Sequence, residues 1–142
     1  MPLNHEDGKP IVAIPHCAAI DMRTHVADKE GVLVSVPYAQ QLVGDAESGV
    51  VHGGVITTLL DSGCGTAAMI RTSGPGGLAT LDLRIDYMRA AEPGKAIFAR
   101  CECYHVTRSV AFCRGVAFDT DESDPVATAT GAFMLTRKEK RS

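Results

Sequence analysis

Gly49-Val50-Val51-His52-Gly53-Gly54-Val55-Ile56-Thr57-Thr58-Leu59-Leu60-Asp61 is the stretch that decides how this chain folds. From Val55 onward, apolar or small residues recur at 55, 56, 59, 60, 63, 64 and 67, the spacing of a helix that buries one broad face. The pattern predicts a helix over 53–70. Two glycines open it, and residues without side chains let another molecule approach bare backbone N–H groups at the positive end of a helix. Asp61 falls off the apolar stripe, beside Thr57, Thr58 and Gly65 at helical spacing. Interior glycines, here Gly63 and Gly65, each cost about 1 kcal/mol relative to alanine, which points to close packing against another backbone or a ligand.

Outward from this helix the period changes. Upstream, Val32, Val34 and Val36 alternate with Leu33 and Ser35, as in a strand over 29–38 closed by Pro37. Residues 40–51 read as a loop. Ile14, Ala18, Ala19, Met22 and Val26 give a weak helical pattern over 11–28, interrupted by Pro15, so a short helix across the domain is expected there; residues 1–9 read as polar and loose. Downstream, Ser73-Gly74-Pro75-Gly76-Gly77 ends the helix. Four strands are expected, at 80–88, 96–106, 109–119 and 125–136, following one another as a meander. In the first, Leu81, Leu83, Ile85 and Tyr87 should share one face and Asp82, Arg84 and Asp86 the other. One helix cannot cover both faces of such a sheet, so it should lie in the concavity of a curved antiparallel sheet, an α+β domain. The chain divides into an N-terminal segment 1–28, a single domain 29–136 and a charged tail 137–142, without repeats or a linker.

Bulk composition narrows the class. With 142 residues, 45% hydrophobic and 22% charged, the chain has the makeup of one ordinary globular domain. A net charge of −3 argues against a general nucleic-acid binder, though not against a local basic patch for a phosphorylated ligand. No apolar run is long enough to cross a bilayer, and Met1–Pro10 lacks a signal-like apolar core, so a cytoplasmic protein is expected. Five cysteines, at 17, 64, 101, 103 and 113, show no metal-ligand or disulfide spacing. Cys101 and Cys103 alternate within a strand and read as buried thiols.

Gly49-x-x-His52-Gly53-Gly54 with Leu59-Leu60-Asp61, followed by Leu81-Asp82-Leu83-Arg84-Ile85-Asp86-Tyr87-Met88-Arg89, resembles the signature of hotdog-fold acyl-CoA thioesterases of the phenylacetate-degradation (PaaI-like) type. The likeness spans roughly 30–136. It implies a hotdog fold, a homodimer or dimer of dimers, and hydrolysis of an acyl-CoA thioester without a metal; no cofactor is expected, and aryl-acyl or medium-chain groups are candidate acyl classes that the sequence does not choose between. Within it Asp61 matches the catalytic acid, as nucleophile or as base for water, and Gly53 the backbone donor that polarises the thioester carbonyl, with His52 adjacent. Thr80 lies where members often carry a Ser or Thr that positions water. Gly54 adds a second donor, and Arg84, Arg89 and Arg108 are candidate partners of the CoA phosphates; ordinary surface charge is as good a reading for any one of them. The likeness departs at Ala46, where many members have Asn, and Asp45 could substitute if the loop shifted by one residue. A lipase-like reading of His-Gly-Gly fails for want of a Gly-x-Ser-x-Gly elbow and a parallel sheet.

The chemistry has a geometric condition. Gly53 and Asp61 are eight residues apart, roughly 12 Å along a helix, so one thioester cannot touch both in one copy. The two groups must meet across a two-fold axis between antiparallel helices, giving two sites per dimer. Alternatives are a non-catalytic acyl-CoA-binding module and, with less support, a hotdog dehydratase or hydratase.

Overall fold

The computed structural model describes residues 2–73 and 76–136. Its elements, in order, are β1 (Lys9–Pro10), α1 (Pro15–Ala19), β2 (Arg23–Ala27), β3 (Val32–Val36), α2 (Gly53–Arg71), β4 (Leu78–Tyr87), β5 (Ile97–Val106), β6 (Val110–Phe118) and β7 (Ala127–Leu135). They form one antiparallel sheet in the order β1-β2-β3-β5-β6-β7-β4, with α2 packed against its inner face. The expected helix is present, and its buried residues, Val55, Ile56, Leu59, Leu60, Gly63, Cys64, Ala67 and Ala68, include every position of the apolar stripe. No helix among the described residues is long and apolar enough to cross a membrane.

The helix sits close to the sheet because the inner faces of β5, β6 and β7 are built from small side chains. Ala99, Cys101, Ala111, Cys113, Ala117, Ala127 and Ala129 are all buried there. Gly63 of α2 and Gly115 of β6 close on the same thiol: a Cβ at Gly63 would lie 2.7 Å from Cys101 Sγ, and one at Gly115 would lie 3.0 Å from it. The interior glycines thus answer to packing against strand side chains. Above this floor β3 adds Val32, Val34 and Val36, and Phe133 of β7 fills the far end.

Four expectations change, the last of them at Leu81 of the edge strand. The strands after the helix are not a simple meander: β5, β6 and β7 follow one another, but β4 pairs with β7 at the edge and β5 pairs with β3. Local periodicity marks a strand without naming its partner, and residues 88–96 carry the chain back across the sheet. The helical reading of 11–28 holds only for Pro15–Ala19, because Arg23–Ala27 is a strand paired with β3. Of the segment expected to be loose, residues 2–9 are tied down. His5 is 5% exposed, with Nδ1 2.6 Å from Ser35 Oγ and Nε2 3.2 Å from Asp21 Oδ2, and His25 Nε2 lies 2.7 Å from the same serine oxygen. The charged tail at 137–142 and Gly74 and Pro75 of the turn after the helix lie outside the described residues.

The edge strand carries one irregularity. The β4–β7 register passes from Thr80↔Phe133 to Asp82↔Ala132, so Leu81 is an extra residue bulged out of the ladder. Side chains alternate along a strand, and the bulge reverses their phase. Leu78, Leu83 and Ile85 pack on the core and Tyr87 reaches α2, whereas Leu81, expected inward, is 52% exposed.

Gly63→Ala tests the close seating. The alanine would gain about 1 kcal/mol of helix propensity but meet overpacking of about 1–3 kcal/mol, because Cys101 is hemmed in by Gly115. The urea midpoint should fall. For Gly65→Ala the nearest atom is the flexible tip of Leu78 at 3.3 Å, and the midpoint should stay level or rise. A rise for Gly63→Ala would show that the helix has room to spare.

Candidate active site

The loop before α2 is tied to itself. Gly44 N–H donates to Val50 O at 2.8 Å, Gly49 N–H to Asp45 O at 2.8 Å, and His52 N–H to Leu42 O at 2.8 Å. Gly49 takes φ +77, and the Tyr38 hydroxyl donates to its carbonyl at 2.7 Å. Asp45 closes the turn: its carboxylate accepts from the Glu47 and Ser48 N–H groups and from the Ser48 hydroxyl, which hold its pKa below the usual value. The Asp45 carboxylate is therefore spent on shaping the loop.

His52 is the N-cap of α2, and its Nδ1 accepts the Gly54 N–H at 2.8 Å. That acceptor role puts the ring proton on Nε2. Of the two donors expected at the helix start, Gly54 is already taken. The Gly53 N–H has no acceptor among the described residues and remains free to bind from outside.

Two turns on, Asp61 is half-buried on the open flank of the helix. Thr80 Oγ1 donates to its Oδ1 at 2.9 Å, so the structure brings Asp61 and Thr80 together within one chain. The bulge at Leu81 makes this contact. Thr80 and Tyr87 are seven residues apart and would face opposite ways on a regular strand, yet both meet α2. Asp61 Oδ2 has no partner among the described residues.

Tyr87, read from sequence only as an inward strand residue, stands at the helix start. Its hydroxyl donates to Gly53 O at 3.1 Å and lies 2.6 Å from Thr57 Oγ1, which itself reaches Gly53 O at 3.3 Å. On the other flank His16 Nε2 lies 3.2 Å from Thr58 Oγ1. No local pattern announces either contact, since each joins residues 30 or more apart.

The three arginines are not gathered into one phosphate site. Arg84 is on the outer face of β4, 3.3 Å from Asp86. Arg108 lies in the β5–β6 turn, near the Leu78 end of β4, about 30 Å of strand away from Arg89 beyond the Tyr87 end. Arg89 is occupied: it donates to both carboxylate oxygens of Asp119 at 2.8 and 3.0 Å and to the carbonyls of Ala90 and Asp124. Asp119 is 2% exposed in its side chain and also accepts Glu92 N–H. The Arg89 guanidinium holds the Asp119 carboxyl far below the ordinary carboxylate range. Arg89 fastens the crossover loop to the end of β6, and a free phosphate would have to displace a buried ion pair. Two clefts, of about 540 Å³ on the outer face of the sheet and about 400 Å³ beside the N-terminal segment, touch neither Gly53, Asp61 nor Thr80.

One long helix seated in a curled antiparallel sheet, with a capped glycine start and one acid on its open flank, is the architecture of hotdog thioesterases, and comparison with known proteins agrees. A profile of the thioesterase superfamily matches residues 48–126, so the chain belongs to that superfamily. The medium/long-chain acyl-CoA thioesterase YigI of Escherichia coli K12 is 25% identical over 135 residues, 86% of each chain. The crystal structure of a Pseudomonas aeruginosa protein superposes with a TM-score of 0.79 at 44% identity, covering 87% of this chain and 92% of that one. A mutant of the phenylacetic acid degradation protein PaaI from Thermus thermophilus shares the fold, with a TM-score of 0.71 at 24% identity over 87% of this chain. The fold is the hotdog fold, and the protein is a thioester hydrolase.

The Arg89–Asp119 pair separates stability from substrate binding. Arg89→Ala should cost about 3 kcal/mol of folding stability by stranding a buried carboxylate. Asp119 has a folded pKa below its unfolded value of 3.8, so its contribution is complete above that pH and is lost as pH falls below it. Urea unfolding at several pH values should show wild type losing this increment in acid and the variant lacking it. A KM for acyl-CoA that rose many-fold with stability unchanged would return Arg89 to the phosphate role.

Proposed function

We propose that the protein hydrolyses acyl-CoA thioesters as a homodimer, with Gly53 of one subunit and Asp61 of the other meeting at each of two sites. The observation that carries this reading is the pair of half-equipped groups on one helix. One N–H without an acceptor among the described residues and one carboxylate with a single hydroxyl partner among them are separated by roughly 12 Å. A second, antiparallel helix would bring each opposite its complement.

β4 offers the seam. It is an edge strand, and Leu81, Tyr87 and the adjoining Met88 are 52%, 52% and 55% exposed. A long edge with apolar side chains and an unpaired ladder favours pairing with its own copy about a two-fold axis. Acyl-CoA as substrate is supported by the E. coli relative, itself an acyl-CoA thioesterase.

In the hydrolysis, the thioester carbonyl accepts a hydrogen bond from Gly53 N–H, which strengthens as the oxygen gains charge. Thr80 fixes Asp61 by Oδ1, leaving Oδ2 to take a proton from water as the oxygen attacks the carbonyl carbon. The tetrahedral oxyanion collapses, the C–S bond breaks, and the proton on Asp61 passes to the departing thiolate, giving free acid and CoA thiol. Ser48–Gly49 and the Asp45 turn shape the loop that carries His52, so Ala46 need supply no group to this step.

Asp61→Asn should keep a folded dimer and lower kcat by about 10²–10³, read as free thiol release from a panel of acyl-CoAs. Full kcat in that variant would sink the Asp61 assignment. Gly53→Pro deletes the donor at a position where proline suits the helix, because Gly53 is the first helical residue and His52 is already extended at φ −60, ψ 134. Co-refolding the two inactive variants tests the shared site. Half of randomly formed dimers are mixed and each mixed dimer holds one intact site, so activity should recover to about one quarter of wild type. No recovery would mean both groups act within one subunit.

A further inference from the structure

We propose that Tyr87 is a positioning residue for the Gly53 donor, holding the Gly53 carbonyl jointly with Thr57 and so pinning the Cα to which the donor nitrogen is bonded; this rests on Gly53 polarising the thioester. The helix start is intrinsically soft. Two successive glycines begin α2, and glycine restrains its own backbone less than any other residue. A donor placed there points well only if its neighbours fix it. On one side His52 Nδ1 holds the Gly54 N–H at 2.8 Å. On the other, the Tyr87 hydroxyl at 3.1 Å and the Thr57 hydroxyl at 3.3 Å converge on Gly53 O, and those two oxygens are 2.6 Å apart. The ring edge of Tyr87 also lies against the bare face of Gly53, 3.7 Å from where a Cβ would stand.

Stability alone gives no reason for this arrangement. In the single chain Tyr87 is 52% exposed, so folding of one subunit does not by itself require these partners for its hydroxyl. The helical carbonyls of the first turn already receive the ordinary backbone bond four residues on, so the further proton that the paired Tyr87 and Thr57 hydroxyls bring to Gly53 O is surplus to helix formation. What the pair adds is a fixed place for the Gly53–Gly54 peptide, and so for the Gly53 Cα, relative to β4; the donor is on the preceding His52–Gly53 peptide, whose carbonyl accepts Val55 N–H at 3.0 Å, so both peptide planes that meet at Gly53 are held. That strand also carries Thr80, which orients Asp61. One strand thereby aligns both half-sites of the helix, Thr80 at one end and Tyr87 at the other. The bulge at Leu81 is what allows both to face α2.

The Tyr87 hydroxyl is assigned to Gly53 O and Thr57 Oγ1 and not to the substrate, so its removal should act only through Gly53. Tyr87→Phe keeps the ring and should leave the unfolding midpoint and dimer unchanged. Its kcat on a good acyl-CoA should fall about ten-fold with KM within about two-fold, the pattern of a misaimed transition-state donor. Thr57→Val should show a smaller loss of the same kind. The decisive measurement is the double-variant cycle: on the Gly53→Pro background, where no donor remains to aim, Tyr87→Phe should cost nothing further. An unchanged kcat in Tyr87→Phe, with Gly53→Pro strongly impaired, would overturn the Tyr87 proposal alone. An equal ten-fold loss in both backgrounds would also overturn it, since Tyr87 would then act by a route that does not include Gly53. Full activity of Gly53→Pro itself would instead remove the donor assignment and this inference with it.

Discussion

Everything in this fold rests on how near α2 can come to the sheet. Gly63 and Gly115 face the Cys101 thiol from the helix and from β6, with the side chains of Ala99, Cys113 and Ala129 around them. Larger residues at these places would lift the helix and turn its open flank away from β4. The seating therefore fixes the height at which Asp61 meets Thr80 and Gly53 meets Tyr87, and the site inherits its geometry from the core. The floor is made of side chains that contribute little apolar area individually. What they give in return is closeness, and with it dispersion contacts along the whole helix.

β4 works under a second constraint. It is paired on one side only, yet it must present residues to the helix at two points. A regular ten-residue strand would offer one phase and lose either Thr80 or Tyr87. The extra residue at Leu81 splits the strand into two short runs of opposite phase, and its own side chain goes outward. Bulges are common at sheet edges near functional sites for this reason.

The helix is legible in full from the sequence, because its stripe repeats over successive turns and needs no partner to be recognised. Asp61 and Thr80 are legible through the motif around them, and their contact bears on the reading without fixing their roles. The strand order is not legible. Alternation in 80–88 describes a strand equally well beside β5 or beside β7, and only the assembled sheet chooses. Nor does alternation reveal a single bulged residue, so by pattern alone Leu81 points inward. His52 as a cap is hidden because helix starts usually recruit Ser, Thr, Asp or Asn. Arg89 reads as a free cation because Asp119 is thirty residues away in the chain. His5 escapes notice for the same reason, its serine lying as far off.

At the N-terminal contact, the order of protons is constrained. Ser35 has one proton to give and two imidazoles beside it, and the second ring nitrogen of His5 faces an ionised Asp21, which can only accept. With both rings neutral, the protons fit in one order: His25 Nε2–H gives to Ser35, Ser35 gives to His5 Nδ1, and His5 Nε2–H gives to Asp21. Burial beside His5 lowers the pKa of His25 and favours that neutral ring. In that state residues 4–7 are fastened to the sheet by a chain of hydrogen bonds with a single direction, and a side chain at position 35 must both give and take to fit.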